Sequence, residues 1–235
     1  MPKISVVIPV YNEEAILETA VRALTQKLGR AGYDYELILS ENGSTDQTAQ
    51  LAESLSREIP RVRALHGTSA NYGQALKEGI LAAGGEWVIC DEIDLGDLDF
   101  YHRAIAELSA GADMVIGSKR HPDSLDGRPW IRRRGTAVIN ALLRLTLDFK
   151  GTDTHGLKAF KRERVLEVVE ACTVEHNLFA SELVIRAGLM GLDVREIPLR
   201  LREIRPPSVG LFRRVPLVLK DLGQLIYVIR IKGRQ

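Results

Sequence analysis

The chain has 235 residues, of which 45% are hydrophobic and 27% charged, which is sufficient for one large domain with a proper core. Its two cysteines, Cys90 and Cys172, stand far apart in the sequence and outside any Cys-x-x-Cys pair, so neither a disulfide framework nor a zinc site is indicated. The formal net charge of +1 conceals a basic end, because residues 200–235 hold nine Lys or Arg against two acidic residues. Because the cysteines indicate no disulfide framework, we expect a protein of a reducing, cytoplasmic compartment.

Strands and helices alternate through the first half of the chain. Short, nearly continuous apolar runs predict strands at residues 4–10, 36–39, 62–65, 87–90 and 114–116. The first of these runs is too short for a signal peptide. Apolar residues at helical spacing predict helices at residues 13–28, 45–57, 70–83 and 98–110. Such repeated βα units predict an α/β fold with a Rossmann-like, mostly parallel sheet flanked by helices.

The second half of the chain is organised differently. A basic, proline-containing loop at residues 121–134 is followed by predicted helices at 135–147, 161–172 and 179–190 and a strand at 194–201. We expect one domain over residues 1–210.

Residues 211–235 are predicted to form a basic amphipathic helix, because apolar residues alternate with charges there. The charges interrupt the apolar runs too often for a membrane span. The helix is expected either to lie on the cytoplasmic face of a membrane or to pack on the domain. Its apolar content disfavours a nucleic-acid partner.

Polar or acidic segments follow three of the predicted strands, at residues 9–14, 40–46 and 91–95. Because ligands of open α/β sheets bind at the carboxyl ends of the strands, we expect these segments to form one site. An aromatic side chain such as Tyr11 can stack on a nucleobase, and acidic or amide side chains can accept hydrogen bonds from the base and ribose.

The segment at residues 91–95 predicts a metal site. Carboxylates crowded at the end of a buried strand repel one another, and a divalent cation such as Mg²⁺ or Mn²⁺ offsets that repulsion. The cation in turn can hold a diphosphate. Each of these segments, taken alone, is equally typical of an ordinary turn or a capped helix.

With these motifs the chain resembles the family-two glycosyltransferases, and within them the branch that transfers mannose or glucose to polyprenyl (dolichyl) phosphate. The motifs are SVVIPVYNEE at 5–14, NGSTD at 42–46, NYG at 71–73, EIDL at 92–95, GSK at 117–119 and DTHGLKAF at 153–160. The resemblance covers nearly the whole chain. It implies the A-type glycosyltransferase fold, with a nucleotide-sugar-binding half at 1–118 and an acceptor half at 119–210.

The resemblance also implies roles for individual residues. Glu92 and Asp94 would hold the metal and the donor diphosphate, and they are the expected catalytic carboxylates. Pro9, Tyr11 and Glu13 would line the nucleotide. The full set of expected donor-binding residues is Pro9, Tyr11, Glu13, Glu41, Asn42, Asp91 and Lys119.

A polyprenyl phosphate is already an anion at neutral pH, so it can attack the anomeric carbon without a general base. A single displacement with inversion is therefore expected, in which positioning and charge stabilisation supply the catalysis. Arg133 is the preferred residue for the acceptor phosphate and is predicted to be catalytic. Arg202, Arg205 and Ser208 are further candidates for that phosphate.

Alternatives stay open at this point. A sugar-hydroxyl acceptor on a glycan would need a general base, for which Asp91 or an acid at residues 123–126 is the candidate. A non-catalytic partner subunit would keep the fold and the nucleotide-sugar site without turnover. A sugar-phosphate nucleotidyltransferase is disfavoured, because that class has a glycine-rich loop after its first strand and residues 9–14 contain no glycine.

Overall fold

The computed structural model describes residues 3–127, 130–201 and 211–231. Its strands are β1 (Ile4–Val10), β2 (Tyr35–Asn42), β3 (Val62–Gly67), β4 (Trp87–Cys90), β5 (Met114–Ser118), β6 (Leu125–Asp126), β7 (Lys158–Lys161), β8 (Val194–Pro198) and β9 (Arg200–Leu201). Its α-helices are α1 (Leu17–Arg30), α2 (Thr48–Glu58), α3 (Tyr72–Ala82), α4 (Leu98–Ser109), α5 (Trp130–Leu147), α6 (Arg162–Ala171), α7 (Phe179–Leu189) and α8 (Leu211–Arg230). A 3₁₀ turn covers His176–Leu178.

The main sheet has seven strands in the order β3-β2-β1-β4-β7-β5-β8. All neighbouring pairs are parallel except the two that involve β7, which is antiparallel to β4 and β5. The carboxyl ends of the parallel strands therefore lie along one edge of the sheet, where Val10 pairs with Glu41. Because β7 runs the other way, its first residue, Lys158, lies at that same edge, opposite Cys90.

Helices cover both faces of the sheet. Alternate residues of β1 enter different cores: Val6 and Ile8 pack with α1, α2 and α4, and Val7 packs with α3, α5, α6, α7 and α8. A strand that is buried on both faces needs apolar residues at nearly every position, which explains the run Ile4–Val10. Burial of apolar area on both faces supplies the main driving force for this fold, at about 25 cal/mol per Å².

The sequence predicted the strands at 4–10 and 87–90 with their observed bounds. The predicted first helix, at 13–28, begins later than expected, at Leu17. The reason is that the amide of Glu13 donates to Thr48 Oγ1 (2.7 Å) and the amide of Glu14 donates to Asp46 Oδ2 (3.2 Å), so this segment is held by the loop after β2 and the first residue of α2.

The predicted loop at 121–134 was wrong in part. Helix α5 already begins at Trp130, so Arg133 and Arg134 belong to its first turns. The guanidinium of Arg134 lies over the Trp130 ring at 5.3 Å, a pair four residues apart that favours the helical turn. In the part of the chain that the structure describes, no helix combines the length and the apolar character that crossing a bilayer requires.

Candidate active site

The loops after β1 and β2 are held together by hydrogen bonds between backbone and side chains. The amide of Asn12 donates to Ser44 Oγ (3.0 Å), and the amide of Thr45 donates to Asn12 Oδ1 (2.8 Å). Asn12 adopts a φ of +53°, a left-handed conformation that asparagine tolerates better than most residues. These bonds join the two predicted nucleotide segments into one unit at the edge of the sheet.

The predicted donor residues of β1 differ in exposure. Tyr11 is exposed just beyond the strand, so its ring is accessible for stacking. Pro9 is half-buried within β1, and Glu13 is half-buried at the start of the following turn. This edge therefore presents an exposed aromatic ring, with the half-buried Glu13 two residues further along the chain.

Glu41 and Asn42 at the end of β2 are both buried, and each accepts a backbone hydrogen bond. Glu41 Oε1 accepts from the amide of Ser44 (2.5 Å), and Asn42 Oδ1 accepts from the amide of Asn71 (2.6 Å). Between them Gly43 has a φ of +66°, and a Cβ there would lie 2.8 Å from the backbone of Ser69. The two predicted donor residues thus shape the turn that borders the site.

The acidic segment after β4 divides into buried and accessible carboxylates. Asp91 is only 2% exposed; its Oδ2 accepts from Tyr101 Oη (2.6 Å) and its Oδ1 from the amide of Glu92 (2.7 Å). Burial raises the pKa of Asp91 to about 7, against the opposing effect of the Tyr101 hydroxyl. Glu92 is exposed and Asp94 is half-buried. That Asp91 contacts the donor stays a prediction.

Among the described residues no group of three or more His, Cys, Asp or Glu is arranged to hold a metal ion. Two accessible carboxylates, Glu92 and Asp94, nevertheless fit the way Mg²⁺ is usually bound next to nucleotides, where one or two carboxylates act together with substrate phosphates. These two carboxylates therefore suit a cation whose remaining coordination positions are filled by phosphate oxygens of the substrate.

Lys119 follows β5 at the same edge. Its Nζ donates to the carbonyl of His155 (3.0 Å), and its amide donates to Asp153 Oδ2 (3.1 Å). Burial works to raise the pKa of Asp153, but the charge of Lys119 and the amides of His155 and Lys119 outweigh it and lower the pKa. A half-buried ammonium is thus fixed beside the start of β7.

The sequence did not single out Lys158, although it lies within the DTHGLKAF motif. Its side chain is 2% exposed, and its Nζ donates to the carbonyl of Gly156 (2.8 Å). Burial lowers the pKa of this lysine to about 8. The missed signal was a basic residue directly before the apolar pair Ala159 and Phe160, which places a buried positive charge beneath the edge of the sheet.

The residues predicted for the acceptor phosphate are only partly described. Arg133 is exposed on the first turns of α5. Arg202, Arg205 and Ser208 lie outside the described residues. The structure therefore brings the donor and metal candidates together at one edge, and it locates a single member of the acceptor set.

The sequence matches a model of glycosyl transferase family 2 over residues 5–169. It is 31% identical over 221 residues to glycosyltransferase AglD of Haloferax volcanii, an alignment that covers 91% of this chain and 35% of that protein. It is also 31% identical over 206 residues to the undecaprenyl-phosphate 4-deoxy-4-formamido-L-arabinose transferase of an Enterobacter species, covering 86% of this chain and 60% of that protein. The chain thus spans less than two thirds of either relative.

The fold is similar to that of glucosyl-3-phosphoglycerate synthase from Mycobacterium tuberculosis, crystallised with Mn²⁺, uridine diphosphate and phosphoglyceric acid. The TM-score is 0.68 at 20% sequence identity, and the match covers 97% of this chain and 77% of the other. The seven-stranded, mostly parallel sheet flanked by helices is accordingly the A-type glycosyltransferase fold that the sequence predicted.

Proposed function

Because this chain belongs to glycosyl transferase family 2, we propose that it transfers a sugar from a nucleotide-diphosphate donor to a polyprenyl phosphate, with inversion of the anomeric centre. The observation that carries the proposal is the common edge at which the segments after β1, β2 and β4 meet. The lipid acceptor is supported by the sequence motifs and by one relative, which is named for its action on undecaprenyl phosphate.

In this proposal the donor nucleoside lies against the loops after β1 and β2. The exposed Tyr11 ring stacks on the base, and Pro9 and Glu13 flank it. Glu41 and Asn42 support this part of the site through their hydrogen bonds, which hold the turn at Gly43. The donor half is residues 1–118 and the acceptor half is residues 119–210.

Glu92 and Asp94 are the residues that would hold Mg²⁺ or Mn²⁺. When bound, such a cation would neutralise negative charge on the leaving diphosphate. Lys119 contributes a fixed positive charge at the same edge, and its geometry is set by the carbonyl of His155.

The reaction needs no proton transfer. An oxygen of the acceptor phosphate forms a bond to the anomeric carbon while the bond from that carbon to the donor diphosphate breaks, and the bonding electron pair leaves with the nucleoside diphosphate. The chain must hold two anions in line and keep them from repelling each other. Arg133 is the proposed residue for the acceptor phosphate, with Arg202, Arg205 and Ser208 as further members of that set.

We place the protein in the cytoplasm and peripherally on the cytoplasmic face of a membrane. A lipid-linked acceptor presents its phosphate at that face, and the basic segment at 211–235 suits an anionic surface.

The test is a transfer assay with a panel of nucleotide sugars, Mg²⁺ or Mn²⁺, and a short-chain polyprenyl phosphate. Wild type is compared with Asp94→Ala and with Asp99→Ala, which removes an exposed carboxylate on the first turn of α4. Metal-dependent transfer should be lost in Asp94→Ala, by a factor of at least about 100, and kept in Asp99→Ala.

Other results would select an alternative. Transfer to a sugar hydroxyl but not to the lipid phosphate would replace the proposed acceptor by a glycan. Metal-dependent nucleotide-sugar binding without transfer to any acceptor would indicate a non-catalytic partner subunit. Equal activity in wild type and Asp94→Ala would contradict the proposal that Asp94 helps to hold the cation.

A further inference from the structure

His66 lies beside the predicted donor residue Glu41 at the edge of the sheet that carries the site. It is the last residue but one of β3, and the strand register pairs it with Glu41 of β2. The His66 side chain is 44% exposed, whereas the Glu41 side chain is 3% exposed. A ligand at this edge therefore meets the imidazole ring of His66 next to a mostly covered carboxylate.

Two carboxylates face the two ring nitrogens of His66. Nε2 lies 3.2 Å from Glu53 Oε2 on α2, and Nδ1 lies 3.8 Å from Glu41 Oε2. A carboxylate only accepts hydrogen bonds, so Nε2 carries the proton when the ring is neutral. Glu53 stays ionised, because the hydrogen bonds from His66 and Arg57 lower its pKa. Nδ1 can therefore donate only when the ring has taken up a second proton.

The contact between His66 and Glu41 leaves both groups available to a ligand. A distance of 3.8 Å is too long for a hydrogen bond, so Nδ1 and Glu41 Oε2 are not committed to each other. The other carboxylate oxygen, Oε1, accepts from the amide of Ser44 (2.5 Å), which fixes the orientation of the carboxylate. The protonated ring and Glu41 thus offer a hydrogen-bond donor beside an acceptor.

Two glycines border this donor–acceptor pair. A Cβ on Gly67, which follows His66, would lie 3.0 Å from the carbonyl oxygen of Glu41, and a Cβ on Gly43 would lie 2.8 Å from the amide nitrogen of Ser69. The backbones after β2 and β3 therefore lie against each other, with no side chain between them at these two positions. Such an edge lets a flat ring approach the backbone.

The strand order places His66 at the far end of the proposed donor site. Along the edge the strands follow in the order β3-β2-β1-β4, and the cation candidates Glu92 and Asp94 follow β4. Neighbouring strands are about 4.8 Å apart, so β3 lies about 14 Å from β4. A nucleoside diphosphate whose diphosphate lies near β4 and whose base stacks on Tyr11 would extend the edge of that base toward β2 and β3.

A donor beside an acceptor distinguishes nucleobases by their hydrogen-bonding edges. Uracil and guanine present a ring N–H next to a carbonyl oxygen, which match the Glu41 acceptor and the His66 donor. Cytosine and adenine present a ring nitrogen acceptor next to an amino group, so acceptor would face acceptor and donor would face donor. A site that hydrogen-bonds its ligand rejects such a mismatch strongly, because its polar groups are left unpaired.

We propose that His66 is a specificity-determining residue of the donor site, and that its protonated ring, together with Glu41, selects bases that have an N–H beside a carbonyl group. This inference rests on the proposed function, because it specifies which donor the same site takes. Uracil and guanine share the selected edge, so the experiment includes both.

Calorimetric titration with four nucleoside diphosphates in the presence of Mg²⁺ tests this proposal. Uridine and cytidine diphosphate differ only at the edge in question, and guanosine and adenosine diphosphate form the corresponding purine pair. Wild type should bind uridine or guanosine diphosphate at least about tenfold more tightly than the other member of its pair, which is the effect of one hydrogen bond to a charged group. His66→Ala should reduce this preference to about threefold or less, through weaker binding of the preferred ligand.

Two further variants separate base recognition from a structural role. His66→Asn places an amide N–H near the position of Nδ1, so it should retain most of the preference and make it independent of pH. In wild type the preference should decline as the pH rises from about 5 to 8, the range in which a histidine loses its charge. His102→Ala is the matched control, because this exposed histidine is bonded to Tyr33 before β2, at the opposite edge of the sheet. All four affinities should be unchanged in it.

Several results would overturn the proposal. These are equal affinities of wild type within each pair, an unchanged preference in His66→Ala, a preference in wild type that does not vary with pH, or an equal loss for all four ligands. The last result would mean that His66 only supports the structure of this edge. Absence of binding to all four ligands would contradict the proposed function and the role of His66 with it. Sugar transfer by a protein that binds all four equally would leave the proposed function intact and remove only the role of His66.

Discussion

The side-chain carbonyl of Asn42 accepts a hydrogen bond from the backbone amide of Asn71 at 2.6 Å. Asn71 in turn caps α3 by accepting from the amide of Gln74 (3.1 Å), and it also accepts from the amide of His176 (2.9 Å). The side-chain Nδ2 of Asn71 donates to Glu175 Oε2 (3.1 Å). The end of β2, the start of α3 and the turn before α7 are thus fixed through one buried pair.

This pair gives the first prediction. Asn42→Ala leaves the buried amide of Asn71 without an acceptor, so the free energy of unfolding should fall by about 1–3 kcal/mol. Asn42→Asp keeps an acceptor oxygen at the same position and should retain most of that stability. Urea denaturation of the three proteins measures the difference. Equal losses in both variants would show that the bond to Asn71 is not what Asn42 contributes.

Gly156 carries the second prediction. A Cβ at this position would overlap the backbone carbonyl of Gly117, which cannot move without distorting β5. Gly156→Ala should therefore destabilise the protein by more than about 2 kcal/mol and weaken nucleotide binding, because the loop that positions Lys119 is displaced.

The control for this substitution is Gly29→Ala in α1, where an added Cβ meets nothing within 4 Å. That change should be neutral or should stabilise the helix by about 0.5–1 kcal/mol. A thermal melt of both variants suffices. Comparable melting temperatures for the two would contradict the close approach between Gly156 and Gly117.

The sequence predicted most of the sheet and its site-bearing edge, because a parallel sheet buried on both faces leaves a strong local signal. The run at β4 is apolar along its whole length and the run at β1 is apolar except for Ser5, and the polar segments begin where the strands end. The resemblance to family-two glycosyltransferases, which those segments carried, was confirmed by the match over residues 5–169.

What the sequence missed depends on contacts between distant residues. Strand β7 has four residues and begins with a buried lysine, so nothing local distinguishes it from a loop; its pairing with β4 and β5 makes it a strand. The bond between Asp91 and Tyr101 likewise joins a strand end to the face of α4. The contacts of His66 with Glu41 and Glu53 went unnoticed because the three residues belong to different elements of the fold.

Asp91 provides the third prediction. Its carboxyl group accepts from Tyr101 and from the amide of Glu92, and burial raises its pKa from 3.8 to about 7, so wild type should lose about 2–4 kcal/mol of stability relative to Asp91→Asn as the pH rises from about 4 to 7. Denaturant unfolding over this pH range measures the difference. Nucleotide affinity should stay within about twofold of wild type. Calorimetric titration with the nucleoside diphosphate provides the check. A large loss of affinity in folded Asp91→Asn would show instead that Asp91 contacts the donor, as the sequence analysis expected.

Lys158 yields a pH dependence with a defined sign. Burial lowers the pKa of this lysine from 10.5 to about 8 in the folded protein. Between these values the unfolded chain binds more protons than the folded one, so the contribution of Lys158 to the free energy of unfolding rises with pH. Relative to Lys158→Met, wild type should gain about 1–2 kcal/mol of stability between about pH 7.5 and 9.5.

Denaturant unfolding at several pH values measures this difference. The exposed Lys150, substituted to Met, serves as the control, since its ammonium group is hydrated in both the folded and the unfolded state. The gap between wild type and Lys150→Met should stay constant over the same range. A gap between wild type and Lys158→Met that is equally flat would mean that the Lys158 ammonium group is not desolvated, and that the positive charge beneath the site is in contact with water.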